Sequence, residues 1–375
     1  MSRARQWGRS GARRLRIVTE SQNRAPTLIT GGAGFVGANL ANRLLAAGEP
    51  VLILDNLARA GVERNLAWLR TAYSDGLEIV LADVRDFEPV ARAVARSSRV
   101  FHFAAQVAVT RSLDDPTSDF AVNAIGTLNV LEAARSLPEP PPIVFTSTNK
   151  VYGALPDLEL VPQGNRYEPV DERVRQNGVS ENRQLDFHSP YGCSKGTADQ
   201  YVIDYARTFG LVTVVLRMSC IYGPRQFGTE DQGWLAHFML RALEEEPITI
   251  FGNGLQVRDA LYIDDLVDAL LLADRYRDRL SGAAYNIGGG PANSVSLLEV
   301  VEAIGRIHGR EPEIRAGEWR AADQRYYVSD LSRFRSMTGW SPRMHIAEGL
   351  RRLHAWLVQG REQRAHGLPT AHGIA

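Results

Sequence analysis

The chain has 375 residues, enough for one large α/β domain and a smaller second domain around a substantial core. Lysine plus arginine and aspartate plus glutamate each total 43, and this balance argues against a nucleic-acid-binding protein. No apolar run approaches the ~20 residues of a membrane span, so we expect no membrane contact. The two cysteines and eight histidines lack metal-ligand spacing, so we predict no metal. With only two cysteines, we expect reduced thiols in a cytoplasmic protein.

The N-terminal segment, residues 1–25, is rich in arginine and poor in apolar side chains. We interpret it as a disordered basic tail. An arginine-rich targeting peptide is the alternative, although the segment lacks a clear amphipathic stripe.

A glycine-rich turn follows the first predicted strand. Residues 26–30 are predicted to form a short buried strand, residues 31–37 read GGAGFVG, and residues 38–45 are predicted to be helical. This order places backbone N–H groups and the positive end of a helix against a pyrophosphate. Asp55 ends the next strand, where its carboxylate suits a ribose 2′-hydroxyl and repels a 2′-phosphate. The pattern favours NAD over NADP; the alternative is a glycine-rich turn with a local cap at Asp55.

Strands and helices alternate through the rest of the chain. Their order predicts a Rossmann-type α/β fold, a parallel doubly wound sheet with helices on both faces. After residue 216 the motifs fall in loops, which predicts a smaller lobe that closes over a cleft. We assign residues 26–216, with a return segment at 257–288, to an NAD-binding domain, residues 217–256 and 289–360 to a substrate-binding lobe, and residues 361–375 to a disordered tail. Strands are also predicted at 78–81, 100–103, 143–146, 212–216 and 285–287, and helices at 87–96, 119–136, 194–209, 234–245, 263–275 and 296–307.

Polar and small residues follow several predicted strands, at the sheet edge where ligands bind in such folds. Asp83 follows the third strand and is a candidate adenine contact, with a helix N-cap as the alternative. Ala104 and Ala105 follow the fourth strand, where small side chains let a ribose approach the backbone. Ser147 and Thr148 end the fifth strand, where a hydroxyl suits the oxygen of a reacting alcohol.

Tyr191 and Lys195 stand four residues apart in the sequence SPYGCSK. On a helix this spacing puts the phenol and the ammonium on one face. Because a nearby cation favours the phenolate, we expect the pKa of Tyr191 to fall toward neutrality. Tyr-x-x-x-Lys is common by chance, but joined to a dinucleotide loop it predicts a general base for hydride transfer at an alcohol carbon.

Over residues 26–350 the chain resembles the extended short-chain dehydrogenase/reductase family of nucleotide-sugar enzymes. The motifs that carry the resemblance are TGGAGFVG at 30–37, HFAA at 102–105, VYG at 151–153, YxxxK at 191–195, YGPR at 222–225 and RD at 258–259. The runs STNKVYG at 147–153, LDFHSPYGCSKG at 185–196, RQFGT at 225–229 and DQGW at 231–234 are similar to its CDP-paratose 2-epimerase (CDP-tyvelose epimerase) branch.

This resemblance implies catalytic and cofactor roles for individual residues. Tyr191 is implied as the catalytic base and Lys195 as its partner, which also bonds the nicotinamide ribose. Thr148 matches the catalytic serine or threonine, with Ser147 in that role if the strand register differs by one. NAD contacts are implied for Gly31, Gly34, Phe35, Val36, Asp55, Asn56, Asp83, Val84, Ala104, Ala105, Tyr191 and Lys195.

The resemblance also implies substrate contacts and an assembly. Arg258 and Arg320 match arginines that clamp the nucleotide diphosphate, a role suited to a bidentate guanidinium. A surface ion pair is the alternative for each arginine. A homodimer is expected through the helices at 119–136 and 194–209. The remaining implied substrate contacts are Gln106, which should face the sugar, and Ser147, Thr148, Asn149 and Arg225.

Asn149 and Lys150 depart from other branches of this family. Its sugar 4,6-dehydratases carry Asp-Glu after the catalytic threonine, and its glucuronate decarboxylases carry Glu before VYG. Loss of a C6 hydroxyl needs an acid for the leaving group and a base for the C5 proton, a pair that Asn and Lys do not supply. Dehydration is therefore disfavoured, whereas a redox-neutral epimerisation needs only the alcohol base, NAD and room for the keto sugar to turn.

A long polar segment, residues 153–189, separates the VYG motif from Tyr191. Loops of this length inside a compact domain are usually functional, so we expect the segment to shape the sugar pocket. A surface excursion without functional importance is the alternative.

Together these patterns predict an NAD-dependent nucleotide-sugar epimerase that inverts C2 of a CDP-linked dideoxyhexose through a transient 2-keto intermediate. A UDP-hexose 4-epimerase is one alternative, because it needs the same residues and a different sugar pose. A non-catalytic NAD-sensing protein is the other. The set of Thr148, Tyr191 and Lys195 argues against a sensor, which has no need of an alcohol base.

Overall fold

The computed structural model describes residues 24–320 and 323–365. The predicted basic tail lies outside these residues except at its end, and residues 366–375 of the predicted C-terminal tail lie outside them as well. The strands are β1 Thr27–Thr30, β2 Val51–Asp55, β3 Leu77–Leu81, β4 Arg99–His102, β5 Ile143–Thr148, β6 Leu160–Gln163, β7 Arg166–Pro169, β8 Thr213–Met218, β9 Cys220–Tyr222, β10 Ile248–Phe251, β11 Val257–Tyr262, β12 Ala283–Ile287, β13 Ser294–Ser296, β14 Ile314–Gly317 and β15 Tyr326–Tyr327.

The helices alternate with these strands as far as β5. They are α1 Phe35–Ala46, α2 Val62–Ala72, α3 Phe87–Ala95, α4 Val109–Asp114, α5 Pro116–Phe120, α6 Gly126–Arg135, α7 Glu172–Asn177, α8 Ser189–Phe209, α9 Trp234–Leu243, α10 Ile263–Arg275, α11 Arg277–Leu280, α12 Leu297–His308, α13 Ser332–Thr338 and α14 Ile346–Ala365. A π-helical turn at Ala121–Ile125 joins α5 to α6, and a 3₁₀ turn at Asn149–Tyr152 follows β5.

The central sheet confirms the predicted fold class. In the described part of the chain it has seven strands in the order β12-β8-β5-β4-β1-β2-β3, and every neighbouring pair is parallel. β1 and β5 are buried along their whole length, which explains their unbroken apolar and hydroxyl sequences, because helices cover both faces of a parallel sheet. The order reverses at β1, so the carboxyl ends of β1, β4 and β5 border one crevice, where ligands bind in open α/β sheets.

Three predicted elements differ most from the structure. The helix predicted at 119–136 is interrupted by the π-helical turn Ala121–Ile125. α8 begins at Ser189, five residues before the predicted start, because Pro190 lies in its first turn, where proline is well tolerated. α14 continues to Ala365, so the predicted tail boundary at residue 360 falls inside a helix.

The second lobe is built around small sheets and does not follow the predicted division. β11 lies within the predicted return segment 257–288, but it pairs with β9, β13 and β15 in the second lobe. α10 and β12, from the same segment, pack with α1 and with β8 of the central sheet. The return segment is therefore shared between the two lobes. One continuous apolar core also spans them, reaching from Ile29 in β1 to Leu353 in α14.

The long segment at 153–189 is folded onto the second lobe, although the sequence prediction placed it in the NAD-binding domain. β6 and β7 form an antiparallel hairpin, and β7 contacts β13 and β15. The buried Tyr167 ring packs with Val257 and Tyr326, while its hydroxyl accepts a hydrogen bond from Asn253 at 2.8 Å. Val179 donates its backbone N–H to Val328 at 2.7 Å. These contacts make the segment part of the second lobe's structure, which argues against a surface excursion.

Candidate active site

Thr148, Tyr191 and Lys195 converge beside the carboxyl end of β5. Thr148 is the last residue of that strand, and its hydroxyl is hydrogen-bonded to the phenol of Tyr191. Tyr191 lies in the first turn of α8, where its backbone N–H donates to the hydroxyl of Ser112 at 3.1 Å. All three predicted catalytic side chains are less than a tenth exposed. A hydroxyl, a phenol and an ammonium in one buried place suit the chemistry of an alcohol.

The expected fall in the pKa of Tyr191 is wrong for this structure. Burial raises the pKa of the Tyr191 phenol to about 12, and the hydrogen bond from Thr148 offsets only part of that shift. The physical reason is that burial destabilises the phenolate by more free energy than the hydrogen bond from Thr148 restores. Sequence spacing predicted the shared helix face but not the depth of burial.

Lys195 is buried with its ammonium held against β5. Its Nζ donates to the carbonyl of Thr146 at 2.8 Å and lies 4.2 Å from the centre of the Phe145 ring. Burial lowers the pKa of Lys195 to about 7, while Asp199 and Asp119 partly oppose the shift. The ammonium is therefore poised to gain or lose its proton near neutral pH.

The glycine-rich turn has the form that a dinucleotide pyrophosphate requires. Gly31 has φ of 68°, and a Cβ atom there would lie 2.7 Å from the backbone nitrogen of Ala104. Gly34 is the N-cap of α1, and no side chain in the described residues caps this helix end. The first N–H groups of the helix, at Phe35 and Val36, are therefore available to an anion. The residues present fit NAD at this position.

Asp55 ends β2 as predicted, and its carboxylate also holds the glycine turn. It accepts hydrogen bonds from the backbone N–H of Ala33 at 3.0 Å and of Leu57 at 2.8 Å. Burial raises the pKa of Asp55 above its usual value, and these two bonds oppose that shift. Its contact with a ribose hydroxyl remains a prediction. A carboxylate can accept about four hydrogen bonds, so the two bonds from the backbone do not exclude this contact.

Asp83 is not a helix N-cap, because α3 begins at Phe87 with Asp86 in the cap position. Its carboxylate instead pairs with Arg85 at 2.7 Å and accepts from the side chain of Asn56 at 2.8 Å. The bonds from Arg85 lower the pKa of Asp83 to about 2. Val84 is buried against Gly126, whose added Cβ would lie 2.7 Å from it. Adenine contacts by this group remain a prediction.

Gln106 is held by neighbouring residues, and its predicted contact with the sugar remains a prediction. Its side-chain nitrogen donates to Asp119 at 2.7 Å and to the carbonyl of Ala108 at 2.9 Å, and its side-chain oxygen accepts from Ala108 at 2.6 Å. Asp119 in turn accepts from the hydroxyl of Ser194, one residue before Lys195. Gln106 therefore braces the loop after β4 against α8. Nothing in its sequence position showed this, because Asp119 comes from a helix 13 residues later.

The three predicted arginine contacts lie in different surroundings. Arg225 is buried and stacks on Trp68 of α2, with its guanidinium carbon 3.2 Å from the ring centre. Arg320 forms the partly exposed ion pair that was its alternative interpretation, at 2.8 Å from Glu230. Arg258 is buried and pairs with Asp323 at 2.7 Å. Their substrate contacts remain predictions.

Ser147 and Asn149 flank Thr148 and are also buried. The Ser147 hydroxyl is a buried polar atom without a hydrogen-bond partner in the described structure. The hydroxyl of Thr148 lies 3.5 Å from the side-chain oxygen of Asn149.

Both cysteines are free thiols, with Cys193 exposed on α8 and Cys220 partly buried in the second lobe.

Comparison with known proteins agrees with this geometry. Residues 27–288 match the model of the NAD dependent epimerase/dehydratase family. The chain belongs to this family. It is 43% identical to the CDP-paratose 2-epimerase of Salmonella typhi over 336 residues, which cover 88% of this chain and 98% of that protein. It is 33% identical to the UDP-glucose 4-epimerase of Mycolicibacterium smegmatis, over 86% of this chain and 96% of that protein.

A solved structure supports the same assignment. The UDP-glucose 4-epimerase of Thermus thermophilus, in complex with NAD, superposes with a TM-score of 0.74 at 33% identity, covering 89% of this chain and 99% of that one. The predicted enzyme, its Rossmann-type fold and its NAD dependence are therefore confirmed. None of the helices in the described part of the chain combines the length and hydropathy that a bilayer crossing requires.

Proposed function

We propose that the protein inverts C2 of a CDP-linked dideoxyhexose, as in the interconversion of CDP-paratose and CDP-tyvelose. The observation that carries this proposal is the buried group of Thr148, Tyr191 and Lys195. In the sequence, Thr148 is followed by Asn149 and Lys150 and not by acidic residues. The 43% identity to a CDP-paratose 2-epimerase over nearly the whole chain supports the choice of nucleotide and carbon.

The residues of this chain divide the chemistry of an alcohol between them. Bound NAD⁺ supplies a reversible hydride acceptor. Thr148 would orient the C2 hydroxyl, and Tyr191 would take its proton as the C2–H hydride leaves, so that an alcohol becomes a ketone. Rotation of the 2-keto sugar presents its other face. Return of the same hydride and of the proton from Tyr191 then gives the inverted alcohol with no net redox change.

Lys195 would assist by its charge and by its fixed position. Tyr191 acts as a base only when it is ionised, and its pKa is raised to about 12, chiefly by burial. A protonated Lys195 on the same helix face favours the phenolate, so the two groups are expected to titrate as a pair. The hydrogen bond from Lys195 to Thr146 keeps the ammonium from swinging away into solvent.

The residues after Thr148 distinguish epimerisation from dehydration. Asn149 is buried and neutral, and Lys150 is a cation in the position where related dehydratases are expected to carry an acid. Neither can act as the carboxylic acid that protonates a leaving hydroxyl. A UDP-hexose 4-epimerase is the second candidate, because relatives named UDP-glucose 4-epimerase match at 33% identity over most of the chain.

A panel of nucleotide sugars separates these candidates. The NAD-loaded enzyme is incubated in deuterated water with CDP-, UDP- and dTDP-linked hexoses and dideoxyhexoses, and proton NMR follows each ring proton. We expect inversion at C2 of the CDP-linked dideoxyhexose without uptake of deuterium. Inversion at C4 of a UDP-hexose alone would favour the second candidate, and deuterium at the inverted carbon would contradict return of the same hydride. The Tyr191→Phe variant is the matched control.

We further propose a cytoplasmic homodimer formed through α5, α6 and α8. Its support is a group of apolar side chains on or next to these helices, which are more than two fifths exposed: Phe120, Ile125, Tyr201 and Phe209. The two free thiols fit a reducing compartment. Analytical ultracentrifugation of wild type and of Tyr201→Asp tests the assembly, because a charge on this surface should shift a dimer toward monomer. A monomeric wild type would contradict the proposal.

A further inference from the structure

Asp119 places a buried carboxylate beside the helix that carries Tyr191 and Lys195. It lies on α5 and is 1% exposed. No motif in the sequence marks this residue, because only the packing of α5 against α8 brings it to the site. A carboxylate at such depth is costly unless hydrogen-bond donors and a cation compensate it. The groups around Asp119 provide both.

Three side chains donate hydrogen bonds to the Asp119 carboxylate. Its Oδ1 accepts from Gln106 at 2.7 Å and from Asn123 at 3.2 Å, and its Oδ2 accepts from the hydroxyl of Ser194. Burial raises the pKa of Asp119, whereas the bonds from two of these side chains and the charge of Lys195 oppose that shift. Because Ser194 directly precedes Lys195, the carboxylate holds α8 at the point where the ammonium is attached.

The start of α8 needs such support. Ser189, its first residue, has φ of 67°, in the left-handed region that is unfavourable for residues other than glycine. A conformation of this kind persists only where surrounding contacts hold it. The hydroxyl of Ser112 accepts from the backbone N–H of Tyr191 at 3.1 Å, and Asp119 accepts from Ser194 one turn further on. These two bonds fix the turn that carries Tyr191.

The charge of Asp119 acts on both members of the Tyr191–Lys195 pair. Burial lowers the pKa of Lys195 to about 7, and the charges of Asp199 and Asp119 oppose that shift. Burial raises the pKa of Tyr191 to about 12, and the charge of Asp119 adds to that shift. A negative charge at this place therefore favours the state in which the pair keeps its protons.

We propose that Asp119 is a positioning residue of this active site, which holds the start of α8 and supplies the negative charge that keeps Lys195 protonated beside Tyr191. This inference rests on the proposed role of Tyr191 as the base, and it does not depend on which sugar is bound. The pair must lose a proton before Tyr191 can accept one from an alcohol. Asp119 thus sets the pH at which activity begins, and a neutral side chain in its place should move that pH downward.

Asp119→Asn removes the charge and keeps the hydrogen bonds. The amide oxygen can still accept from Gln106 and Asn123, and the amide nitrogen can donate to the hydroxyl of Ser194. That hydroxyl can then turn its hydrogen toward the backbone carbonyl of Tyr191, which already lies 3.2 Å away. One hydrogen bond is reversed and none is lost, so this variant isolates the effect of the charge.

Titration of Lys195 by NMR tests the charge without turnover. The NAD-loaded enzyme labelled with ¹³C-lysine has only two lysine Cε signals, and the spectrum of Lys150→Arg assigns them. In Asp119→Asn the midpoint of Lys195 should fall by about half a pH unit or more, the effect of losing a nearby opposite charge. Asp204→Asn is the matched control, because it removes the same charge from an exposed position on α8 and should leave the midpoint unchanged. An unchanged midpoint in Asp119→Asn, or an equal shift in both variants, would overturn the proposal.

The dependence of kcat on pH separates the charge from a purely structural role. In Asp119→Asn the rise of kcat should begin at lower pH, so the variant should retain a larger share of its maximal activity than wild type at low pH. Ser194→Ala keeps the carboxylate and breaks its bond to α8; it should lower kcat without moving the rise to lower pH. A lower kcat with an unmoved rise in Asp119→Asn would mean that Asp119 only supports the fold, and would overturn the proposal.

Other charges around the pair are accounted for in this comparison. They are Asp199 on α8, which pairs with Arg217 on β8 at 2.8 Å, His102 on β4, and Lys150 in the 3₁₀ turn after β5. Burial and the charge of Lys195 lower the pKa of His102 to about 3, so its ring stays neutral in the range tested. Burial lowers the pKa of Lys150 to about 8. The kcat profiles are therefore repeated with Lys150→Arg, which removes this titration, and the shift caused by Asp119→Asn should persist.

The two kinds of measurement keep this inference separate from the proposed function. An enzyme that inverts none of the nucleotide sugars fails as an epimerase of this kind, but the lysine titration still decides whether Asp119 holds the proton on Lys195. A lowered Lys195 midpoint in Asp119→Asn supports the proposal in that case as well.

Discussion

Replacing Tyr191 with phenylalanine removes one hydroxyl from a buried ring and leaves the rest of the site in place. The lost hydrogen bond to Thr148 should cost about 1 kcal/mol of stability, the usual net value for such a bond. General-base help contributes ~10²–10⁴-fold to turnover, which corresponds to about 3–5 kcal/mol in the activation barrier. The loss of activity should therefore exceed the loss of stability several-fold. NAD should remain bound, because Asp55 and the glycine turn are untouched.

Three measurements test this prediction together. Proton NMR follows epimerisation, absorbance of the denatured protein counts retained NAD, and thermal unfolding reports stability. Because the pKa of Tyr191 is raised to about 12, wild-type kcat should increase with pH until the coupled Tyr191–Lys195 pair ionises, and the residual rate of Tyr191→Phe should lack that dependence. A Tyr191→Phe enzyme that retains NAD and epimerises at nearly the wild-type rate would refute the assignment of the base.

Three further substitutions separate orientation, cofactor binding and stability. Thr148→Val should lower kcat less than Tyr191→Phe does, because it removes an orienting hydrogen bond and leaves the base; a larger loss would argue that Thr148 itself transfers the proton. Asp55→Ala should release NAD during purification, since it frees the backbone N–H of Ala33, and added NAD should restore kcat; unchanged NAD content would contradict this. Arg217→Met leaves the buried Asp199 carboxylate unpaired and should cost about 3–5 kcal/mol in urea unfolding; recovery in the Arg217→Met/Asp199→Leu double variant is the control.

The dinucleotide half of the site was predictable because its determinants are local in sequence. A buried strand, a glycine turn and a helix start lie within about 20 residues, and their backbone geometry is set by residue type and order. Gly31 needs its positive φ whatever surrounds it, and Asp55 ends β2 in the structure as in the prediction. The same holds for Tyr191 and Lys195, because helical periodicity alone puts residues four apart on one face.

Burial and distant partners were decided only by the tertiary structure. The pKa of Tyr191 depends on how much water the folded lobes remove from its ring, and four-residue spacing carries no information about that. The position of Gln106 after two alanines gave no sign that Asp119 and Ala108 bind its amide. Such a choice depends on which polar groups the packing of α5 and α8 brings within hydrogen-bond distance.

The second lobe shows the same limit on a larger scale. β11 lies in a segment predicted to return to the central sheet, but it pairs with β9, β13 and β15 of the second lobe, and its partner in β15, Tyr326, comes about 70 residues after Val257. Lys150 and Asp323 meet for the same reason, since the 3₁₀ turn after β5 and the segment before β15 approach only in the folded protein. Local sequence determined the dinucleotide turn and the Tyr191–Lys195 pair, because the order of neighbouring residues defines both. The long-range packing of two lobes determined which charges face one another, because no local pattern encodes their distance.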